Sequence, residues 1–292
     1  MLKRGLEDHD EILFFPNDLN LLVDFELQYH KIRTKSNLAK LINKLFLKKK
    51  FQNLNLQLSR DEFLSKAGHY EYPFIDLVMD KIEKRQSNGG SILYWGFKSP
   101  NLEIDYEELS QMLGSRIELF ICIIRNPLDS GLSYKNYPGG IKSYNPIRHA
   151  IKFRNSYEVS LKLSKEHNSF SLLTFESLVD DGAKILNTYF NRIGLNSIDE
   201  SQLIQIFNQN SNSSFKKEKV NKEKERSKYL FFYLLHCKSI MCLNGWDDGV
   251  TQNLILRVRN YVYYFTKDVF WQLKQKIYMP IKRTIKHTFI DG

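Results

Sequence analysis

The sequence lacks several features that would assign it to a common class. No apolar run approaches the roughly 20 residues that a membrane-spanning helix needs. Met1-Leu2-Lys3-Arg4 is followed by acidic residues instead of the apolar stretch of a secretory leader. The three cysteines are few and odd in number, and none of the seven histidines forms an H-E-x-x-H pair. These absences argue against a disulfide scaffold and a zinc site. They predict a soluble, cytoplasmic protein without a metal cofactor.

A glycine-rich phosphate-binding loop is missing as well. The 14 glycines include the pairs Gly89-Gly90 and Gly139-Gly140, but neither pair has a basic residue and hydroxyls placed between a strand and a helix. The Walker pattern G-x-x-x-x-G-K-[ST] is also absent. A nucleotide kinase, which needs such a loop, is therefore disfavoured.

The composition is that of an ordinary globular protein with an excess of basic residues. Of 292 residues, 42% are hydrophobic and 26% are charged, and the formal net charge is +10. The length fits one large α/β domain with an appendage. Short apolar strands alternate with helical segments, which predicts a parallel sheet flanked by helices.

The most informative segment is a strand, a turn and a helix start, ELFICIIRNPLDSGLSY. Leu119 to Ile124 is apolar on both faces, as in a central parallel strand, and Pro127 suits the first turn of a helix. Arg125 then lies at the carboxyl end of a strand, where open α/β sheets bind anions. Its guanidinium offers a fork of donors, and Ser133 could add a hydroxyl from the helix. Alternatively, Arg125 is a solvated loop residue that pairs with Asp129.

The pattern Arg125-Asn126-Pro127-x-Asp129-x-x-x-Ser133 resembles a segment of the sulfotransferases that use 3′-phosphoadenosine-5′-phosphosulfate. In that family the Arg and the Ser hold the 3′-phosphate of the nucleotide. The resemblance implies a P-loop NTPase-like α/β fold and a transferase that moves a sulfuryl group from this co-substrate to a hydroxyl or amine. The acceptor would be a small molecule, a carbohydrate or a lipid that carries this hydroxyl or amine.

Two neighbouring segments resemble the same family. Ser91–Pro100 (SILYWGFKSP) is similar to a Gly-x-Lys-[Ser/Thr]-Pro segment, which implies that Lys98 reaches the sulfuryl group or the acceptor. A lysine at a strand end can also simply point into water. Phe170–Val179 (FSLLTFESLV) is similar to an aromatic-Glu-x-Leu segment, in which Glu176 would have a structural role.

The amino-terminal residues resemble the helix that follows the phosphate loop of the family. Met1–Leu13 would then begin one turn inside that helix, so we expect an upstream segment or a lost first strand, and weak nucleotide binding by the chain as written. In Phe14–Leu19 (FFPNDL), Asp18 matches the position of the catalytic base. Asn17 or Asp18 could instead cap the next helix. His9 and Glu11 are weaker candidates for the base.

A polar segment further on resembles the loop that closes over the nucleotide in this family. Asn210–Lys219 (NSNSSFKKEK) offers Lys216 or Lys217 as a cation near the 3′-phosphate. The alternative is a solvated, charged loop that continues to Lys228.

The resemblance implies a sulfotransferase-like α/β domain over residues 1–248, in which residues 53–90 look like a variable helical insertion. Residues 249–292 form a different segment, a basic amphipathic tail with aromatic residues. Such a tail is typical of an interfacial helix on an anionic membrane, but it could equally pack on its own domain or on a second subunit. No nucleic-acid-binding motif is present, and the oligomeric state is not predicted. Two alternatives to an enzyme stay open: a degenerate, non-catalytic member of the family, and a basic membrane-surface protein.

Overall fold

The computed structural model describes residues 5–6, 9–15, 20–86, 92–98, 101–136, 144–209, 219–246 and 254–273. The described chain is mostly helical, with two small parallel sheets. It divides into two compact units. The first comprises Met1–Cys122 and Ser164–Ser211, and the second comprises Ile123–Leu163 and Asn212–Gly292. The boundary expected at residue 248 stays a prediction.

The first unit contains one sheet and most of the other. Strand β1 (Ile12–Phe14) pairs in parallel with β2 (Tyr94–Gly96), and β3 (Phe120–Ile124) pairs with β4 (Phe170–Thr174). Strand β3 begins in this unit and ends in the second one. The helices are α1 (Asn20–Lys31), α2 (Lys35–Phe46), α3 (Lys49–Gln52), α4 (Arg60–Ala67), α5 (Pro73–Gln86), α6 (Tyr106–Leu113), α9 (Phe175–Arg192) and α10 (Glu200–Gln209).

The structure has the expected combination of helices and parallel strands, but the strands are not arranged in the expected sheet. The expected fold has a single parallel sheet, whereas the described strands form two separate sheets of two strands each. Strands β1 and β2 are only three residues long, so they offer few backbone groups for a further strand to pair with. Most of the buried apolar side chains of the described residues lie on helices instead.

Residues 53–90, expected to be a variable insertion, contribute to the largest core of the first unit. Phe63 on α4 and Phe74 on α5 are fully buried, with ring centroids 5.5 Å apart. Leu77 and Val78 of α5 are buried beside them. Residues 31–50 have apolar side chains at helical spacing among lysines, which predicts an amphipathic helix. Helix α2 presents these apolar positions to the same core.

Glu26 is the most deeply buried carboxyl group of the described residues. From α1, its Oε2 accepts hydrogen bonds from the backbone N–H groups of Phe74 (2.8 Å) and Ile75 (3.1 Å) in the first turn of α5. Helix α5 starts with Pro73, so this carboxyl supplies the cap for its orphan donors. Burial raises the pKa of Glu26 to about 8.

The second unit is built from helices rich in tyrosine. They are α7 (Pro127–Asn136), α8 (Pro146–Glu166, which lies in this unit as far as Leu163), α11 (Lys219–Leu243) and α12 (Leu254–Leu273). The sequence pattern predicts a helix over residues 145–167, which α8 matches. It also predicts an apolar helix from residue 232, whereas α11 already starts at Lys219. Within the described residues, no helix has the length and apolar character needed to cross a membrane.

Candidate anion-binding site

The candidate site begins where strand β3 gives way to helix α7. Ile124, the last residue of the strand, is buried, and α7 begins at Pro127. Arg125 lies in the short link between them and is half-buried. The predicted order of strand, arginine and proline-started helix is therefore present in the structure.

One backbone N–H group in the first turn of α7 is already engaged in a hydrogen bond. The Oδ1 atom of Asn126, a buried side chain, accepts a hydrogen bond from the N–H of Leu128 at 3.0 Å, and Pro127 has no N–H. Asn126 is thus the N-cap of the helix. Because the cap occupies a backbone donor, an anion beside this turn depends chiefly on side chains.

Four side chains line one open pocket of about 300 Å³: Arg125, Ser130, Ser133 and Tyr134. The three helical residues are spaced i, i+3 and i+4, so they share a face of α7. Arg125 joins them from the preceding link. The pocket therefore combines a permanently charged guanidinium, two hydroxyl groups and an aromatic ring, which is a donor set suited to a phosphate or sulfate ester.

Asp129 in the first turn of α7 is paired with a cation from a distant part of the chain. Its Oδ1 accepts from the guanidinium of Arg226 on α11, and both side chains are partly buried. Asp129 thus has Arg226 as a partner in the structure, and its pairing with Arg125 stays a prediction. The Arg226 pair neutralises a carboxylate that would otherwise repel an anion in the adjacent pocket.

A buried polar chain packs against α7 at Gly131. The hydroxyl of Tyr233 on α11 lies 3.1 Å from the Tyr144 hydroxyl and 3.1 Å from Nδ1 of His149. Burial, together with the nearby Lys152 cation, lowers the pKa of His149 to about 4, so this imidazole is neutral at pH 7. Gly131 lies against Tyr233, which lets α7 and α11 approach closely.

The predicted site residues have different outcomes. Arg125 and Ser133 line the same pocket. Lys98 follows β2 by two residues in the first unit, and its side chain is exposed. Asp18 and Lys216 lie outside the described residues.

His9, a weaker candidate for the base, makes hydrogen bonds within the fold. It is buried; its Nε2 donates to the carbonyl of Asn196 at 3.0 Å, and its Nδ1 lies 3.3 Å from the backbone N–H of Glu11. Nδ1 must then accept, so both ring nitrogens are engaged within the fold and His9 is not available as a general base.

Sequence reasoning missed Ser130, Tyr134 and Arg226. The first two could have been found, because their spacing from Ser133 places all three on one helix face. Arg226 carries no comparable signal, since it is separated from Asp129 by 97 residues.

Among the described residues, no three His, Cys, Asp or Glu side chains are grouped as metal ligands would be. Cys237 is buried and donates to the carbonyl of Ala150, and burial raises the pKa of its thiol to about 12. Comparison of the chain with protein-family models, with curated proteins and with solved structures finds no match.

Proposed function

We propose that this protein binds the 3′-phosphate of 3′-phosphoadenosine-5′-phosphosulfate between Arg125 and Ser133 and transfers its sulfuryl group to a hydroxyl or amine. The observation that carries the proposal is the shared pocket: the two residues of the sequence pattern, eight positions apart, line one cavity. Under this proposal the fold is a P-loop-like sulfotransferase fold.

The pocket has the chemistry that a phosphate monoester needs. A guanidinium binds two phosphate oxygens through parallel N–H donors, and the hydroxyls of Ser130 and Ser133 can each donate one more hydrogen bond. The ring of Tyr134 offers an apolar surface for the ribose or the base. At about 300 Å³ the pocket is at the lower end of small-molecule sites, so it suits the phosphate and its sugar better than a whole nucleotide.

The transfer step is proposed on the resemblance. Charge develops on the entering and leaving oxygens during sulfuryl transfer, and a cation such as Lys98 would stabilise it. Asp18 would accept the proton of the acceptor, and Lys216 would add charge near the 3′-phosphate. No metal ion is required by this scheme. The acceptor is a small molecule, glycan or lipid that carries a hydroxyl or amine.

The test compares two nucleotides that differ only in the 3′-phosphate. Adenosine 3′,5′-bisphosphate and adenosine 5′-monophosphate are titrated into the full chain by calorimetry, up to about millimolar concentration to capture weak binding. We expect the bisphosphate to bind at least about tenfold more tightly. Arg125→Ala should remove most of this difference, because its guanidinium is proposed to contact only the phosphate that distinguishes the two ligands.

Arg192→Lys is a matched control, because Arg192 is an exposed arginine on α9 that does not line the pocket. Arg125→Lys keeps the charge but loses the fork of donors, so it should weaken bisphosphate binding while Arg192→Lys leaves it unchanged. Equal affinity of the wild-type protein for the two nucleotides, or equal losses in the two lysine variants, would contradict the proposed site.

A non-catalytic role has one observation in its favour. The four residues of the pocket can all hold an anion, but none of them is a carboxylate or an imidazole that could serve as a base. Incubation with radiolabelled donor and a mixed pool of glycan and lipid acceptors separates the two roles. Labelled product that disappears in Lys98→Gln supports transfer, whereas nucleotide binding without any labelled product supports a binding protein.

A further inference from the structure

We propose that the outer face of helix α12 binds the surface of an anionic phospholipid membrane. This inference is independent of the proposed sulfuryl transfer, because it concerns a helix that contributes no residue to the pocket. The proposed partner is a lipid surface.

Tyr264 anchors α12. Its side chain is buried, its hydroxyl donates to the hydroxyl of Tyr229 at 3.2 Å, and its ring centroid lies 5.3 Å from that of Phe232. Its carbonyl also accepts from Nδ2 of Asn145 at 2.9 Å. Tyr261, one turn earlier, stacks on Phe232. These contacts determine which face of α12 is turned inward.

The outward face of the same helix is also apolar. Val262, Phe265 and Val269 follow a helical spacing that turns them away from Tyr264, and each is at least 40% exposed. Tyr263 and Phe270 extend this face, with 61% and 68% of their surfaces exposed. Five large apolar side chains on one surface form a patch of the kind that marks an interaction site. We call these five residues the outer patch.

The charge of the carboxyl-terminal sequence indicates the partner. Residues 254–292 contain eight Lys or Arg and only two Asp or Glu, and Lys267 is exposed within the helix itself. A second copy of this chain would bring two such basic segments together, which is unfavourable. A nucleic acid would interact favourably with the basic residues but would leave the exposed Val and Phe side chains in water. An anionic membrane interacts favourably with both the basic and the apolar side chains. Aromatic and aliphatic groups insert below the headgroups, while lysines and arginines stay at the level of the headgroups.

The test is flotation of the full chain with phospholipid vesicles. One vesicle population contains phosphatidylcholine alone, and the other contains about 30% phosphatidylserine, in about 0.1 M salt. We expect binding to the phosphatidylserine vesicles, weaker binding to the neutral ones, and a loss of binding as the salt concentration rises to about 0.5 M.

Phe265→Ser/Phe270→Ser removes the two phenylalanines of the outer patch and should lower vesicle binding at least about tenfold. Leu47→Ser/Leu64→Ser is the matched control, because these two side chains are also exposed but lie in the first unit, and it should bind as the wild type does. Circular dichroism confirms that both variants are folded. Lys267→Gln should weaken binding by a smaller factor.

Three results would overturn the proposal. The first is no binding of the wild-type protein to phosphatidylserine vesicles at about 0.1 M salt. The second is equal binding by the two double variants. The third is a wild-type dimer that Phe265→Ser/Phe270→Ser dissociates in light scattering while vesicle binding is absent, which would assign the outer patch to a second copy.

Discussion

Replacing Gly131 with alanine tests the packing that supports the candidate site. A Cβ atom added at this position would lie 1.8 Å from the hydroxyl oxygen of Tyr233, 2.8 Å from its Cζ atom and 3.2 Å from the hydroxyl oxygen of Tyr144. The first two distances are far inside van der Waals contact. Tyr233 therefore has to move, and its contacts with Tyr144 and His149 move with it.

The magnitude follows from three opposing contributions. Overpacking of a buried site costs about 1–3 kcal/mol. Disturbing the hydroxyl contacts of Tyr233 costs about 1 kcal/mol more, while the better helix propensity of alanine returns about 1 kcal/mol. We therefore expect Gly131→Ala to lower the free energy of unfolding by about 2 kcal/mol. Urea unfolding followed by circular dichroism measures this change.

A double-mutant cycle identifies the cause. Tyr233→Phe removes the closest atom but leaves Cζ, so in that background Gly131→Ala should cost about 1 kcal/mol less than in the wild type. Gly68→Ala is the control: this glycine has helical dihedral angles (φ −68°, ψ −12°) and no atom near an added Cβ. It should leave stability unchanged or raise it by up to about 1 kcal/mol. The reasoning fails if Gly131→Ala is as stable as the wild type, or if its cost is the same with Phe at position 233.

Two further predictions concern the first unit. Between about pH 5 and pH 8 the unfolded chain has lost the Glu26 proton while the folded protein retains it, so the free energy of unfolding should fall as pH rises, by on the order of 4 kcal/mol. In Glu26→Gln, urea unfolding across this range should lack that fall; a parallel decline in both proteins would assign it to another group. Phe74→Ala should cost about 3–5 kcal/mol, because the ring is fully buried among aromatic neighbours, whereas Leu64→Ala on the exposed face of α4 should change little. Thermal melts of the two variants check this, and similar melting temperatures would contradict it.

Local patterns predicted much of the helical structure and the strand, link and helix that form the candidate pocket. The proline at residue 127, the apolar run before it and the arginine between them gave the correct order of β3, link and α7. The spacing of Leu38, Leu41, Ile42 and Leu45 gave the buried face of α2. In each case the signal lies within a few residues, where periodicity and capping rules apply.

Long-range contacts could not be predicted in this way. The pairing of Asp129 with Arg226, and the cap that Glu26 provides for α5, each join helices that are distant in sequence. The division of the strands into two sheets is also a tertiary result, since a short apolar run pairs equally well with several partners until packing selects one. The long α11 shows the same limit, because its first half is polar and gives a weak helical pattern of its own.

The first unit is assembled from segments that leave the ribosome at very different times. His9 donates its hydrogen bond to Asn196, 187 residues further along the chain, and residues 123–163 of the second unit are synthesised in between. At translation rates of about 5–20 residues per second, the amino-terminal strand waits about 10–40 s for its neighbours on α9 and beyond. During that interval Ile12 and Phe14 lack their neighbours on α9, whereas Leu13 and Phe15 pack with residues that are synthesised much earlier. A chaperone that covers Ile12 and Phe14 during synthesis would therefore protect the part of this strand that waits longest.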